Sequence, residues 1–199
     1  TRPLEDCSGM ILKFQSLGHQ VSHLPLLNIK KINHYELNFS EYGGIIFTSA
    51  NAVKFLNLKK LDKNIKCFCV GSATEKKARS LGFQNTFAAG GNVSNLKELI
   101  IQNYNPSTGQ LLYVSGEKIS VNLDQQLLNE DYRIKRIINY RVTHNKNFDQ
   151  KFLNELKKDM PNLVYIYSQN SANSFLNFIK FHQLEALCMD TNLMCIGEK

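Results

Sequence analysis

Four strand-to-helix junctions in this chain are rich in small and hydroxyl residues, a composition suited to holding anions. They are Thr48-Ser49-Ala50-Asn51, Gly71-Ser72-Ala73-Thr74, Ser115-Gly116-Glu117 and Ser168-Gln169-Asn170-Ser171. Helix N-termini present unpaired N–H groups and the positive end of the helix dipole, which attract carboxylates or phosphates. Taken singly, each Ser or Thr reads first as an N-cap. Four such junctions facing one cleft point instead to a ligand with several anionic groups. Two further positions stand beside them. Tyr140 follows Ile137-Ile138-Asn139 near the end of a strand and just before a polar segment, where pattern alone reads it as a half-buried strand aromatic. Gly90-Gly91-Asn92 is either an ordinary turn or a place where backbone approaches a ligand closely.

The patterns of other chemistries are missing. There is no G-x-x-x-x-G-K-[ST] phosphate loop, no G-x-G-x-x-G fingerprint and no H-E-x-x-H,. His19, His23, His34, His144 and His182 pair with no Cys or Asp at catalytic or metal-ligand spacing. A metal or nucleotide enzyme is therefore not expected, and no cofactor. The five cysteines are Cys7, Cys67, Cys69, Cys188 and Cys195, an odd count that argues against a disulfide framework. Cys67 and Cys69 flank Phe68 in an apolar run, so both point to one face of a strand and are expected buried and reduced. That usage indicates the cytosol.

The elements that must position these residues occur twice. Residues 45–56 align with 165–176, each a buried strand, a hydroxyl residue and a helix ending in Phe-Leu, and Cys67-Phe68-Cys69-Val70-Gly71 aligns with Leu193-Met194-Cys195-Ile196-Gly197. Strands are expected over 21–27, 44–48, 66–70, 110–115, 133–142, 163–168 and 193–196. Helices are expected over 4–17, 51–58, 74–81, 94–102, 120–128, 148–158 and 171–181. This alternation predicts βαβ units and parallel sheets, an α/β fold of two similar domains. Polar stretches at about 34–37 and 143–145 read as a two-stranded linker. Residues 38–142 then form one continuous domain, and 1–33 with 146–199 a second, discontinuous one, hinged to close over a ligand. The repeat also predicts a strand before Thr1 and a counterpart of residues 73–102 after Lys199.

Net charge is +7, and Lys and Asn are both abundant. The lysine pairs are scattered (Lys30-Lys31, Lys59-Lys60, Lys76-Lys77, Lys157-Lys158), unlike the clustered basic face and interleaved aromatics of a nucleic-acid binder. The charge reads as a solvated surface with some attraction for anions. No apolar run reaches the length of a membrane span,, and neither nucleic acid nor membrane is an expected partner.

In their order and spacing, Phe47-Thr48-Ser49-Ala50-Asn51-Ala52-Val53, Val70-Gly71-Ser72-Ala73-Thr74, Gly90-Gly91-Asn92, Tyr140, Ser168 and Ile196-Gly197 resemble the uroporphyrinogen-III synthase family. So does the opening Thr1-Arg2-Pro3 with Gly18-His19 and Leu24-Pro25. The resemblance covers essentially the whole chain. It implies that the two domains are Rossmann-like (flavodoxin-like), and it implies cyclisation of hydroxymethylbilane to uroporphyrinogen III with inversion of the last pyrrole ring, in haem biosynthesis. The substrate's acetates and propionates would give the anion-receptive junctions a purpose. The substrate closes spontaneously to the uninverted isomer, so the enzyme's task is to favour the inverted route through a spiro intermediate. Positioning and water control suffice for that, without a cofactor. The resemblance also implies that Tyr140 helps the hydroxyl leave as a neutral phenol donor; phenols are protonated at neutral pH. Arg2, Thr48, Ser49, Ala50, Ser72, Thr74, Gly91, Gly116, Lys118, Ser168 and Asn170 are then the expected substrate-binding residues. Lys118 stands in for a basic residue that the family carries after this glycine, where this chain has Ser120 or Val121. A cytoplasmic monomer is expected, with room for transient contact with the enzyme supplying the unstable substrate. The alternative is a two-lobed binding module for a small polyanion, without chemistry.

Overall fold

The computed structural model describes Leu4 and residues 7–57, 60–145 and 147–195. In chain order its elements begin with α1 (Ser8–Ser16), β1 (Leu27–Lys31), β2 (Tyr42–Phe47), α2 (Ala50–Phe55), β3 (Lys66–Cys69) and α3 (Ser72–Ser80). They continue with β4 (Thr86–Ala88), α4 (Val93–Asn103), β5 (Gln110–Gly116), α5 (Leu123–Leu128) and β6 (Ile134–His144). The last are α6 (Gln150–Lys158), β7 (Leu163–Ile166), α7 (Gln169–Phe181) and β8 (Asn192–Cys195). Residues group into two compact units, Ile29–Val142 and Thr1–Asn28 with Thr143–Lys199.

The continuous unit is built on a sheet of order β1-β6-β5-β2-β3-β4. Strands β2 to β6 are all parallel. Asn145 N–H donates to the Leu26 carbonyl and Ile32 N–H to the Asn139 carbonyl, so β1 runs antiparallel to β6. The chain winds outward from β2 through β3 to β4, then returns to β5 on the other side of β2. Winding therefore reverses between β2 and β5, and doubly wound sheets bind ligands beyond the carboxyl strand ends at such a reversal.

Residue alternation builds the core. Side chains of consecutive strand residues go to opposite faces, so Ile45 and Phe47 pack with Cys67, Cys69, Leu112 and Val114 against Ala52, Val53 and Ala78 of α2 and α3. Ile46, Phe68, Leu111 and Tyr113 pack on the other face against Leu96 and Ile100 of α4 and Leu123 and Leu127 of α5. Helices thus cover both faces, which is why β2, β3 and β5 read as unbroken apolar runs. Cys67 and Cys69 lie side by side, Sγ to Sγ 3.8 Å. The bond to Cys69 and burial push the Cys67 thiol up, so it stays a neutral thiol,.

In the split unit β7 pairs in parallel with β8. Leu26 packs there with Leu153, Val164, Ile166, Phe175, Phe178 and Ile179. Helix α1 ends where Gly18, at φ +85°, turns the chain and lets the N–H groups of Gly18 and His19 close on Gln15 and Phe14,.

Besides end shifts of a few residues, such as α5 opening at Leu123 rather than at 120 and α2 ending at Phe55 rather than at 58, three elements differ from the sequence expectation. The extended segment 21–27 becomes a paired strand only at Leu27, because Pro25 has no N–H to donate and regular pairing starts beyond it,. Strand β4 was not expected. It is three residues long at the sheet edge, and Asn85-Thr86-Phe87-Ala88 has no apolar alternation. The polar segment at 143–147 begins inside β6, whose pairing runs on through His144.

Candidate functional site

The carboxyl ends of β2 to β6 carry most of the expected residues. Beyond β2, the Thr48 hydroxyl lies 3.2 Å from the Tyr113 hydroxyl, a link across the winding reversal from β2 to β5. Ser49 is the N-cap of α2 and accepts from Asn51 N–H at 3.2 Å, and Ala50 opens that helix. Beyond β3, Gly71 precedes α3. Ser72 is exposed at its first turn and Thr74 is buried. Beyond β4, Gly91 takes φ +94° and donates its N–H to the Val70 carbonyl at 2.8 Å. A Cβ on Gly71 would come within 3.3 Å of the Gly91 Cα, so these two turns are packed backbone to backbone. Asn92 then caps α4 by accepting from Asn95 N–H.

The densest chemistry sits at the end of β5. Gly116 pairs with Tyr140 in the β5–β6 register, past an irregularity that shifts the register after Ser115 and Ile138. The Tyr140 ring packs against the bare Gly116 Cα and lies 6.5 Å from the Phe55 ring of α2. Its hydroxyl has no hydrogen-bond partner among the described residues and remains available as a donor. The neighbouring Asn139 is fully buried. Its Nδ2 donates to the Ala52 carbonyl at 2.8 Å, tying β6 to α2, and its Oδ1 is buried without a partner. Past Gly116, Lys118 is exposed and makes no ion pair among the described residues. Glu117 pairs with Arg141 at 2.7 Å.

On the opposite face of the sheet the Arg136 side chain runs forward along β6. Its Nε donates to Ser115 Oγ at 2.8 Å, and its Nη2 donates to the carbonyls of Gly116 at 3.0 Å and Glu117 at 3.3 Å. The guanidinium sits 6.0 Å from the centre of the Tyr113 ring. Burial pushes the Tyr113 phenol up, and the bond with Thr48 and the Arg136 charge pull it only part of the way back, so Tyr113 is a neutral phenol at neutral pH.

In the split unit, Ser168 caps α7. Its Oγ accepts from Ser171 N–H at 3.2 Å and lies 3.0 Å from Ser171 Oγ. Asn170 is exposed, and its carbonyl accepts from Ser174 Oγ, which also meets His144 Nδ1 at 2.6 Å. Arg2 and the Ile196-Gly197 turn lie outside the described residues.

The structure thus brings Thr48, Ser49, Ala50, Ser72, Gly91, Gly116, Lys118 and Tyr140 to one edge of one sheet. It gives Ser49 and Ser168 real N-cap bonds, the plainer of their two readings. Arg136, Asn139 and Tyr113 had not been singled out. The available signal was a charged and an amide residue inside a strand flanked on both sides, where each needs a partner. Among the described residues no group of three or more His, Cys, Asp or Glu could hold a metal ion, and no helix is long and apolar enough to cross a membrane.

A doubly wound, mainly parallel sheet with helices on both faces, and with hydroxyls, glycines, a lysine and an unpaired phenol at its carboxyl edge, defines an α/β protein of the Rossmann-like class,. The family described as uroporphyrinogen-III synthase HemD matches residues 8–199, and the chain belongs to that family. Among curated relatives, a porphyrin biosynthesis protein HemD of Ruminiclostridium josui is 26% identical, the match covering all of this chain and 42% of the relative. The chain therefore spans less than half the length of that protein. A uroporphyrinogen-III synthase of Schizosaccharomyces pombe is also 26% identical, over 82% of this chain and 72% of its own length. The crystal structure of uroporphyrinogen-III synthetase from Helicobacter pylori superposes with TM-score 0.60 at 19% identity, covering 85% of this chain and 84% of the other. A mutant uroporphyrinogen-III synthase from Thermus thermophilus gives TM-score 0.58 at 14% identity, covering 98% and 82%. At these identities the superpositions establish the fold.

Proposed function

We propose that this chain cyclises hydroxymethylbilane to uroporphyrinogen III, inverting the terminal pyrrole ring with loss of water. The observation that carries this reading is Tyr140, a phenol with an unpaired hydroxyl beside the bare Gly116, at a strand-end edge in a member of this family. In this reading the Tyr140 hydroxyl donates a proton as the substrate hydroxyl departs as water. Thr48, Ser49, Ala50, Ser72, Gly116 and Lys118 in the continuous unit hold carboxylates, through N–H groups, hydroxyls and one ammonium, while the buried Thr74 and Gly91, whose N–H goes to the Val70 carbonyl, shape the turns around them. Ser168, Asn170 and Arg2 hold carboxylates in the split unit. The chain's part is to fold a flexible linear tetrapyrrole so that the inverted closure outruns the spontaneous one, which is catalysis by orientation.

The two units fit the expected pair of domains, 1–33 with 146–199 and 38–142. Two chain crossings, at 28/29 and 142/143, support a hinged pair. A monomer in a reducing compartment belongs to the same reading, and the free cysteines support the compartment.

The test is product analysis. The full-length protein is incubated with fresh hydroxymethylbilane, the products are oxidised, and the porphyrin isomers are separated. Mostly type III product is expected. Only type I, at the rate without protein, would overturn the reading and leave a polyanion-binding module.

A further inference from the structure

Arg136 is half-buried in an interior strand and is held in an unusual way for a cation there. It lies in β6, between β1 and β5, where a charge needs compensation. No acidic side chain pairs with it among the described residues. Its bonds run instead to one hydroxyl, Ser115 Oγ, and to the carbonyls of Gly116 and Glu117. These neutral acceptors fix the guanidinium plane through Nε and Nη2 and leave the positive charge uncancelled. Nη1 has no hydrogen-bond partner among the described residues.

Its position adds meaning to that free charge. Gly116 offers its carbonyl to Arg136 and its bare Cα to the Tyr140 ring, so guanidinium and phenol bracket one strand end. Arg136 also lies 6.0 Å from the centre of the buried Tyr113 ring, whose hydroxyl meets Thr48 across the winding reversal between β5 and β2. A carboxylate there would meet an oriented guanidinium with the two Nη1 N–H groups open, beside the buried Tyr113 ring. Arginine forks match carboxylates in that way.

We propose that Arg136 is a substrate-binding residue that takes one carboxylate of the tetrapyrrole at the β5–β2 strand ends. This rests on the cyclase reading above and extends it to a residue and a ligand group. A lysine on the exposed loop, such as Lys118, supplies a mobile point charge, whereas Arg136 supplies a pre-oriented one.

The test uses Arg136→Gln and Arg136→Lys in the full-length protein. Type III formation is followed against hydroxymethylbilane concentration at low and high salt, and uroporphyrin binding is followed separately by fluorescence. For Arg136→Gln, KM is expected to rise about tenfold or more, with kcat within about threefold of wild type. KM should also become less sensitive to salt, because one screened charge contact is gone. Arg136→Lys should recover part of the affinity. A strand clamp without a ligand role predicts something else: lowered melting temperature, unchanged KM and unchanged salt response in both variants, and that result overturns the proposal. If wild type makes no type III product, the cyclase reading fails. Arg136 is then judged by uroporphyrin alone, where weaker binding by the Gln variant sustains its carboxylate role and equal binding ends it.

Discussion

The ring of Tyr140 occupies the space that a side chain at position 116 would fill. A Cβ on Gly116 would lie 2.7 Å from Tyr140 Cζ and 2.9 Å from both Cε2 and Oη, distances that real packing does not tolerate. The φ of Gly116 is not in the left-handed region, so the requirement for glycine comes from its neighbour and not from its backbone. Gly116→Ala therefore pushes the phenol out of place. We expect kcat for type III formation to fall by roughly tenfold to a hundredfold, and stability by about 1–3 kcal/mol, read by product chromatography and urea unfolding. Full activity would mean that the ring's location is immaterial.

Removing only the Tyr140 hydroxyl separates chemistry from packing. Because that oxygen bonds to no described residue, Tyr140→Phe should change stability by less than about 0.5 kcal/mol. If the phenol protonates the departing hydroxyl, kcat drops by about a hundredfold while KM holds. A variant as fast as wild type would remove Tyr140 from the chemistry and leave family membership untouched.

Asn139 ties the strand carrying Tyr140 to the helix that follows Ser49. In Asn139→Ala the Ala52 carbonyl loses its donor, and a buried acceptor without a partner costs about 1–3 kcal/mol. Urea unfolding should show that loss. Activity should fall with it, since α2 and β6 frame the phenol between Phe55 and Gly116. Unchanged stability would show that the bond is replaced by water at no cost.

His182 makes the split unit acid-sensitive. Its ring lies among Phe148, Phe178 and Phe181 at centroid distances of 4.8 to 6.3 Å. Desolvation first, and the Lys157 charge second, hold its pKa below the ordinary 6.5. The folded state thus binds this proton less readily than the unfolded chain. Its contribution is complete above about pH 6.5 and is lost as pH falls toward the lowered value. His182→Phe should flatten the stability profile between about pH 7 and 5, measured by urea unfolding across that range. An unaltered slope would place the acid sensitivity elsewhere.

The parallel-sheet architecture was legible because buried strands and amphipathic helices leave different periods, and β2, β3 and β5 are apolar on both faces. The repeat was legible too, but one residue out of step in its first half. In the structure Ile45 pairs with Cys67 as Val164 pairs with Leu193, and the caps Ser49 and Ser168 keep that same offset. The sequence alignment, drawn by the later Phe-Leu, matches Ile45 with Tyr165 instead. What stayed hidden depends on register. The three-residue β4 has no pattern of its own and exists because β3 offers it an edge. Arg136 reads as one more basic residue until the pairing with β5 sets its guanidinium beside Ser115, and Asn139 reads as a polar interruption until α2 is folded over it.

The split of one unit across the sequence sets an order of events during synthesis. Every segment of Ile29–Val142 is available once that stretch has left the ribosome, so this half can complete its core while translation continues. Leu26 is made earlier, yet its burial partners are Leu153, Val164, Phe175 and Phe178. The amino-terminal stretch must wait, apolar side chains exposed, while the intervening chain is made. The later-made half therefore has to reach back to a segment synthesised well before it, so the split unit closes last,.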